Sequence, residues 1–93
     1  MQNLIPLLTI ILSNHKEWFK TKGSSGIFAD LSKENLEKGN FSNSILVEAN
    51  FEGSNINKSN FQNSDLIDTN ITKDQIKFVF NDEGTLFPSF NLS

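Results

Sequence analysis

The spacing of large apolar residues in the middle of this 93-residue chain limits its fold more than any other feature. Such a residue occurs at every fifth position, nine times without a break: Leu31, Leu36, Phe41, Leu46, Phe51, Ile56, Phe61, Leu66 and Ile71. A period of five fits neither the helical spacing of about 3.6 residues nor the alternation of a strand. It predicts a repeat architecture, in which each unit buries its apolar group by stacking on a neighbour.

The residues around each apolar centre also follow a pattern. The residue two before the centre is small in eight of nine units, with Glu34 as the exception, and the residue just before it is Asn or Asp except at Ile45. Residues 29–73 read ADLSK, ENLEK, GNFSN, SILVE, ANFEG, SNINK, SNFQN, SDLID, TNITK. This run resembles the pentapeptide-repeat family, whose unit is a small residue, Asn or Asp, a central Leu or Phe and two variable residues. The resemblance implies an all-β solenoid, a right-handed quadrilateral β-helix with four units per coil.

The expected coil geometry predicts which side chains meet. Neighbouring strands lie about 4.8 Å apart, so forty-five residues make about two coils and about 11 Å of solenoid axis. Residues twenty positions apart should stack, as Phe61 on Phe41. Asn ladders should form and bond to turn backbone, at Asn35 over Asn55, Asn40 over Asn60 and Asn50 over Asn70. Glu34, which is charged at an inward position, should reach water or the N-terminal cap.

The flanking segments have a different pattern and are expected to cap a single domain, 1–93. Residues 1–28 form the N-terminal cap, with a helix over residues 4–20 that has Pro6 in its first turn and stops at Gly23. Residues 29–73 are the repeats, and residues 74–93 form the C-terminal cap. Thr72 and Gln75 make a capping-box pattern that predicts a short helix through Phe80, followed by a turn at residues 82–84. Such caps are needed because an open solenoid end invites edge-to-edge aggregation.

Composition excludes several classes of protein. The chain has a net charge of −3 and no Cys, so it offers no disulfide and no thiolate chemistry. It has no Arg, which argues against direct binding of nucleic acid through a basic patch. Residues 4–12 are apolar but far shorter than a bilayer span, and they lack the features of a secretory signal. We expect a cytoplasmic protein without a membrane span.

The sequence does not predict an enzyme. His15 is the single histidine, and its place one turn before Trp18 indicates packing of the cap rather than general-base catalysis. No catalytic residue can be named, because a nucleophile needs a base and an orienting group beside it. No dense set of oxygen ligands and no Gly-rich phosphate loop occurs, so neither a metal nor another cofactor is expected.

One face of the predicted solenoid differs from the others. The Leu46/Leu66 face should present outward the residues Ile45, Val47, Glu48, Asp65, Ile67 and Asp68. The apolar members have two interpretations: they suit strands or lie beneath a terminal helix, or they form a protein-contact patch with an acidic rim. Leu7 and Ile10 on the N-terminal helix are a second candidate contact, because the helix is apolar on more than one side.

Two functions from different classes follow. The first is a non-catalytic interaction module that binds a protein partner or a second copy of itself, as a homodimer through a cap. The alternative comes from the family resemblance: a short DNA mimic that binds a type II topoisomerase such as DNA gyrase. Charge weighs against mimicry, since about 11 Å of duplex carries roughly six negative charges. The repeats have seven acids and four lysines, a net charge of only −3.

Overall fold

The computed structural model describes residues 3–90 as a helical segment followed by stacked coils of the chain. A 3-10 helix, Ile5–Leu7, leads into an α-helix, α1, at Leu8–Lys20, and a second 3-10 helix spans Gln75–Phe78. Within residues 3–90 the coils contain no extended strands and are joined by isolated parallel bridges. The description below therefore rests on this register of bridges and on the backbone hydrogen bonds around them.

The N-terminal helical segment has the predicted extent, although its first turn is a 3-10 helix that contains Pro6. Leu8 is buried, and further apolar residues of the segment pack against the core: Leu4, Ile5, Ile11 and Leu12. The helix ends where Lys22 takes a left-handed conformation and Gly23 N–H donates to the Trp18 carbonyl at 2.8 Å. The helix therefore ends near Gly23, as predicted, with two left-handed residues in a row, Lys22 and Gly23.

The coils follow a register of twenty residues. Parallel bridges pair the first coil with the second: Asp30 with Asn50, Asn35 with Asn55, Asn40 with Asn60 and Ile45 with Asp65. Backbone hydrogen bonds support each rung, such as Leu36 N–H to the Asn55 carbonyl at 2.7 Å. Two more bridges, Asn60–Phe80 and Asp65–Leu86, carry the stacking beyond the repeats. The second of these is offset by one extra residue, so the last coil is not a perfect copy.

The predicted centres form the core. All nine are buried, together with Ala29, Ala49 and Leu8. Phe41 and Phe61 are stacked with centroids 4.7 Å apart and planes within 4°, which confirms the predicted column. Phe51 meets both edge-on at 6.0 Å. Glu34 is half-buried and so keeps access to water.

The small inward residues also join the coils. Ser59 Oγ donates to the Leu36 carbonyl at 2.8 Å, and Ser64 Oγ donates to that of Phe41. Thr85 Oγ1 makes the equivalent bond to the Phe61 carbonyl at 2.8 Å. At these three positions the hydroxyl satisfies a buried carbonyl of the coil before it, whereas Ser54 and Thr69 donate to carbonyls within their own coil.

Turns at the corners place the outward side chains. The residue two after the centre has a positive φ in the first eight units, which are Lys33, Lys38, Asn43, Glu48, Gly53, Lys58, Asn63 and Asp68. The Asn or Asp before the centre accepts the N–H group two residues on, as Asn35 does from Glu37 at 3.2 Å.

The predicted Asn ladders form in two of three places. The Asn55 and Asn70 side chains donate to Asn35 and Asn50 at 3.3 and 2.8 Å. In the third pair, the side chains of Asn40 and Asn60 instead accept hydrogen bonds within their own turns, from the N–H groups of Ser42 and Gln62.

The prediction of a helix that runs through Phe80 is wrong, because the 3-10 helix ends at Phe78. Phe80 instead pairs with the second coil: its N–H donates to the Ser59 carbonyl at 2.8 Å, and its carbonyl accepts from Phe61 N–H at 2.7 Å. The capping box itself is confirmed: Thr72 Oγ1 accepts Gln75 N–H at 3.2 Å, and Gln75 Oε1 accepts Thr72 N–H at 2.9 Å.

Candidate protein-interaction surface

His15 closes the edge of the first coil. It is fully buried, and its Nδ1 accepts the Ala29 N–H at 2.9 Å while Nε2 lies 2.7 Å from the Val47 carbonyl. Since Nδ1 must be an acceptor, the hydrogen resides on Nε2 and is donated to that carbonyl. Trp18 and Phe28 pack against the ring. Both nitrogens are therefore used in the fold, as expected for a cap-packing histidine.

This contact changes the predicted interaction face. Val47 is only 7% exposed, and α1 reaches its carbonyl through His15. The prediction that Val47 is a partner-binding residue is therefore wrong, because the N-terminal helix occupies this part of the first coil. Ile45 is half-buried, whereas Ile67 in the next coil is 41% exposed. The covering-helix interpretation holds for the first coil and not for the second.

The last coil adds a residue that the five-residue pattern did not predict. Leu86 is 47% exposed and bridges to Asp65, which in turn bridges to Ile45, so the three lie in one column. The signal was present in Thr85-Leu86-Phe87, which reads as small residue, outward residue and centre. It was missed because one extra residue shifts it out of the five-residue register.

Three carboxylates surround these apolar groups. Glu48 and Asp68 occupy equivalent corners of successive coils, with φ of 70° and 63°, and both are exposed. Asp65 is half-buried and accepts Ile67 N–H at 3.1 Å. Within residues 3–90 the one ion pair is the exposed Lys77–Asp74 contact at 3.2 Å, so these three acids have no cationic partner there. We name as the acidic face the residues Ile45, Glu48, Asp65, Ile67, Asp68 and Leu86.

The predicted helix residues lie outside the acidic face. Leu7 is half-buried in the 3-10 helix, whereas Ile10 on α1 is 60% exposed. Ile27 is also exposed, and its N–H donates to the carbonyl of Asn14, one helical turn after Ile10. Ile10 and Ile27 thus form a separate apolar patch on the N-terminal cap.

Comparison with known protein families identifies the central segment. The sequence model for pentapeptide repeats matches residues 35–72 in 8 copies. These residues belong to the pentapeptide-repeat family. The match confirms the predicted family and indicates a solenoid repeat protein of a generally non-catalytic kind. No curated protein and no solved structure matches the chain.

A groove with apolar side chains lies beside the pentapeptide repeats. The groove runs between Lys58 and the last coil, lined by Glu37, Asn57, Lys58, Phe78, Val79 and Phe80. Phe78 is 65% exposed, and Phe80 is exposed as well. Over residues 3–90 no group of three His, Asp or Glu side chains is placed to hold a metal ion. None of the helices in that range has the length and apolar character needed to cross a membrane.

Proposed function

We propose that this chain is a non-catalytic, cytoplasmic protein-interaction module. Its pentapeptide repeats would form a right-handed quadrilateral β-helix that presents the acidic face to a protein partner. The observation that carries the proposal is that Ile67 and Leu86 are exposed on one face in successive coils, with three carboxylates that have no cationic partner among residues 3–90. Apolar groups with a charged rim are typical of protein contacts.

The rigidity of the coils supports binding by this face. The Glu48 N–H donates to the Ile67 carbonyl at 3.1 Å, and the Leu66 N–H donates to that of Leu86 at 2.7 Å. The outward side chains are therefore mounted on backbone that is fixed before any partner arrives. A preorganised surface loses little conformational entropy on binding, which favours affinity.

The size of the face predicts a weak or transient contact. Three coils at about 4.8 Å spacing span roughly 10–15 Å. Stable interfaces bury about 800 Å² on each partner, more than one side of so short a solenoid offers. The same short length and low charge disfavour mimicry of duplex DNA, so a bound topoisomerase is the alternative outcome of the test below.

A matched pair of photo-crosslinking positions tests the proposal. A photoreactive amino acid replaces Ile67 in one variant and Glu52 in the other. Both are exposed and follow directly after a centre, and Glu52 lies outside the acidic face and outside the groove beside Lys58. In cells that make this protein, we expect protein adducts from position 67 that are absent from position 52. Mass spectrometry identifies the adduct, and a type II topoisomerase would support the DNA-mimic alternative. Equal labelling from both positions, or no adduct from position 67, would contradict an interaction through the acidic face.

A further inference from the structure

Charge is segregated between two corners of the solenoid. Glu48 and Asp68 stack at one corner, and Lys38 and Lys58 stack at another, each pair one coil apart. Ten residues separate the two corners along the chain, which is half of the twenty-residue coil, so they lie on opposite sides of the solenoid. Like charges on neighbouring strands destabilise a fold. A contact that brings the two kinds of corner together would remove this repulsion from both.

Both sides of the solenoid also carry exposed apolar residues in the last coil. On the acidic face, Glu48 lies in the first coil and Asp68 in the second, and Leu86 of the last coil lies over Asp65, in the column next to this corner. On the opposite side, Lys38 and Lys58 are followed by the groove that contains Phe78 and Phe80, with Glu37 as its single acid. Both sides thus carry charges in the first two coils and an exposed apolar side chain in the last coil. We name the second side the basic strip: Lys38, Lys58, Phe78 and Phe80.

We propose that the partner of the acidic face is the basic strip of a second copy of this chain. The inference rests on the proposed function and names its partner. With the two solenoids side by side and their coils level, Lys38 faces Glu48, Lys58 faces Asp68, and Phe78 and Phe80 face Leu86. Because the charged and apolar residues follow the same order along the axis on both sides, the two solenoids can bind with their axes parallel. If the order were reversed on one side, one molecule would have to be turned end over end.

The geometry of this contact determines the type of assembly. The two surfaces differ and lie on opposite sides, so the contact is heterologous and leaves one free surface of each kind at the ends. Such a contact forms an open row rather than a closed dimer. Exposed ion pairs contribute little by themselves, so the apolar residues must supply part of the affinity, and association should weaken as salt screens the charges.

Charge reversal of each surface tests the inference with purified full-length protein. One variant carries Lys38→Glu and Lys58→Glu, and the other carries Glu48→Lys and Asp68→Lys. By sedimentation at low ionic strength, the unmodified protein should grow in mass with concentration beyond a dimer. Each variant alone should require a roughly tenfold or higher concentration for the same mass, because like charges now meet. An equimolar mixture of the two should associate again, since each supplies the complement of the other.

The control is Glu52→Lys with Glu83→Lys, which changes the net charge as much as the second variant but at exposed positions outside both surfaces. It should associate like the unmodified protein. A mass of the unmodified protein that does not exceed a dimer at low ionic strength, or a mixture that fails to recover association, would overturn the inference. A crosslink from position 67 to a different protein would at the same time leave the proposed function standing. If position 67 also forms no crosslink to any protein, both the proposed function and this inference are contradicted.

Discussion

At the scale of single residues, His15 provides hydrogen bonds to the edge of the first coil that a neighbouring coil would otherwise provide. The first coil has no coil before it, so the Ala29 N–H and the Val47 carbonyl would be unpaired at a buried edge. His15 satisfies both with its two ring nitrogens, at 2.9 and 2.7 Å. A single side chain thereby blocks the pairing that an open edge would offer to another chain.

Replacing His15 with Phe should therefore cost about 2–4 kcal/mol in the free energy of unfolding, because it leaves a buried donor and a buried acceptor without partners. The aromatic volume is kept, so the loss reports on hydrogen bonds rather than on a cavity. Urea unfolding measures it, with Lys16→Phe at the next, exposed position as the control for helix propensity. Equal stability of the two variants would mean that the edge groups find other partners.

Asp82 replaces a backbone carbonyl in the last coil. Its Oδ1 accepts Asn63 N–H at 2.9 Å, where a regular coil would offer a carbonyl, and also accepts Gly84 N–H at 3.0 Å. These bonds, above all the one from Asn63, hold the pKa of the Asp82 carboxyl below its usual value. A lowered folded-state pKa means that the ionised carboxylate favours the fold above the usual Asp pKa of about 4. This contribution is lost as the pH falls through the folded-state pKa.

Asp82→Asn should therefore lower the melting temperature at pH 7, and the difference from the unmodified protein should shrink as the pH falls below about 4. Thermal unfolding followed by circular dichroism between pH 7 and pH 3 measures the difference. Glu83→Gln removes an adjacent exposed charge and should leave the profile unchanged. A difference that is constant over the whole pH range would show that ionisation of Asp82 does not stabilise the fold.

At the scale of elements, the stacked columns hold the coils together. The centroids of Phe41 and Phe61 are 4.7 Å apart, and Phe51 packs on both rings from the side. All three side chains are fully buried, so one cluster links the first two coils across the interior.

Phe61→Ala should cost about 3–5 kcal/mol, because it removes the middle of this cluster and leaves a cavity in a small core. Phe61→Leu retains most of the volume and should cost clearly less. Phe78→Ala removes the same side chain from an exposed position and is the control. Denaturant unfolding gives the ranking, and unchanged stability of Phe61→Ala would be inconsistent with the observed stacking.

The repeats could be predicted from the sequence because every unit has the same pattern of residues. A unit that departs from the pattern, such as Ser44-Ile45-Leu46, can still be identified because it lies between regular units. The last coil could not be read in the same way. Asn81 stands twenty residues after Phe61, where an apolar centre would be expected, and an extra residue shifts Thr85 and Leu86. The capping box at Thr72 and Gln75 forms as its local sequence predicts, but the helix that follows ends early because Phe80 pairs with the second coil.

At the scale of the whole molecule, exposed apolar side chains concentrate at the two ends of the solenoid. Within residues 3–90, Ile67 is the one exposed large apolar residue in the repeats, and the others belong to the N-terminal cap or the last coil. The position of the acidic face was predictable because the corners follow from the repeat. The covering of Val47 was not, because nothing in the five-residue pattern says where α1 lies. Leu86 belongs to the same face only through the irregular last coil.

The patch on the N-terminal cap predicts a contact of a different kind from the acidic face. Ile10 is 60% exposed, Leu7 is half-buried, and Ile27 adds a further exposed side chain nearby. These groups are uncharged, so we expect a cap-to-cap homodimer that persists at high salt, where the charged contact is screened.

Light scattering at high salt should give twice the subunit mass, and Leu7→Lys with Ile10→Lys should reduce it to one subunit while the fold is retained. Thr9→Lys with Ser13→Lys adds the same charge at exposed polar positions of the same helical segment and should leave the dimer intact. A monomeric mass of the unmodified protein at high micromolar concentration would rule out this dimer, and equal loss in both double variants would attribute the effect to charge rather than to the apolar patch.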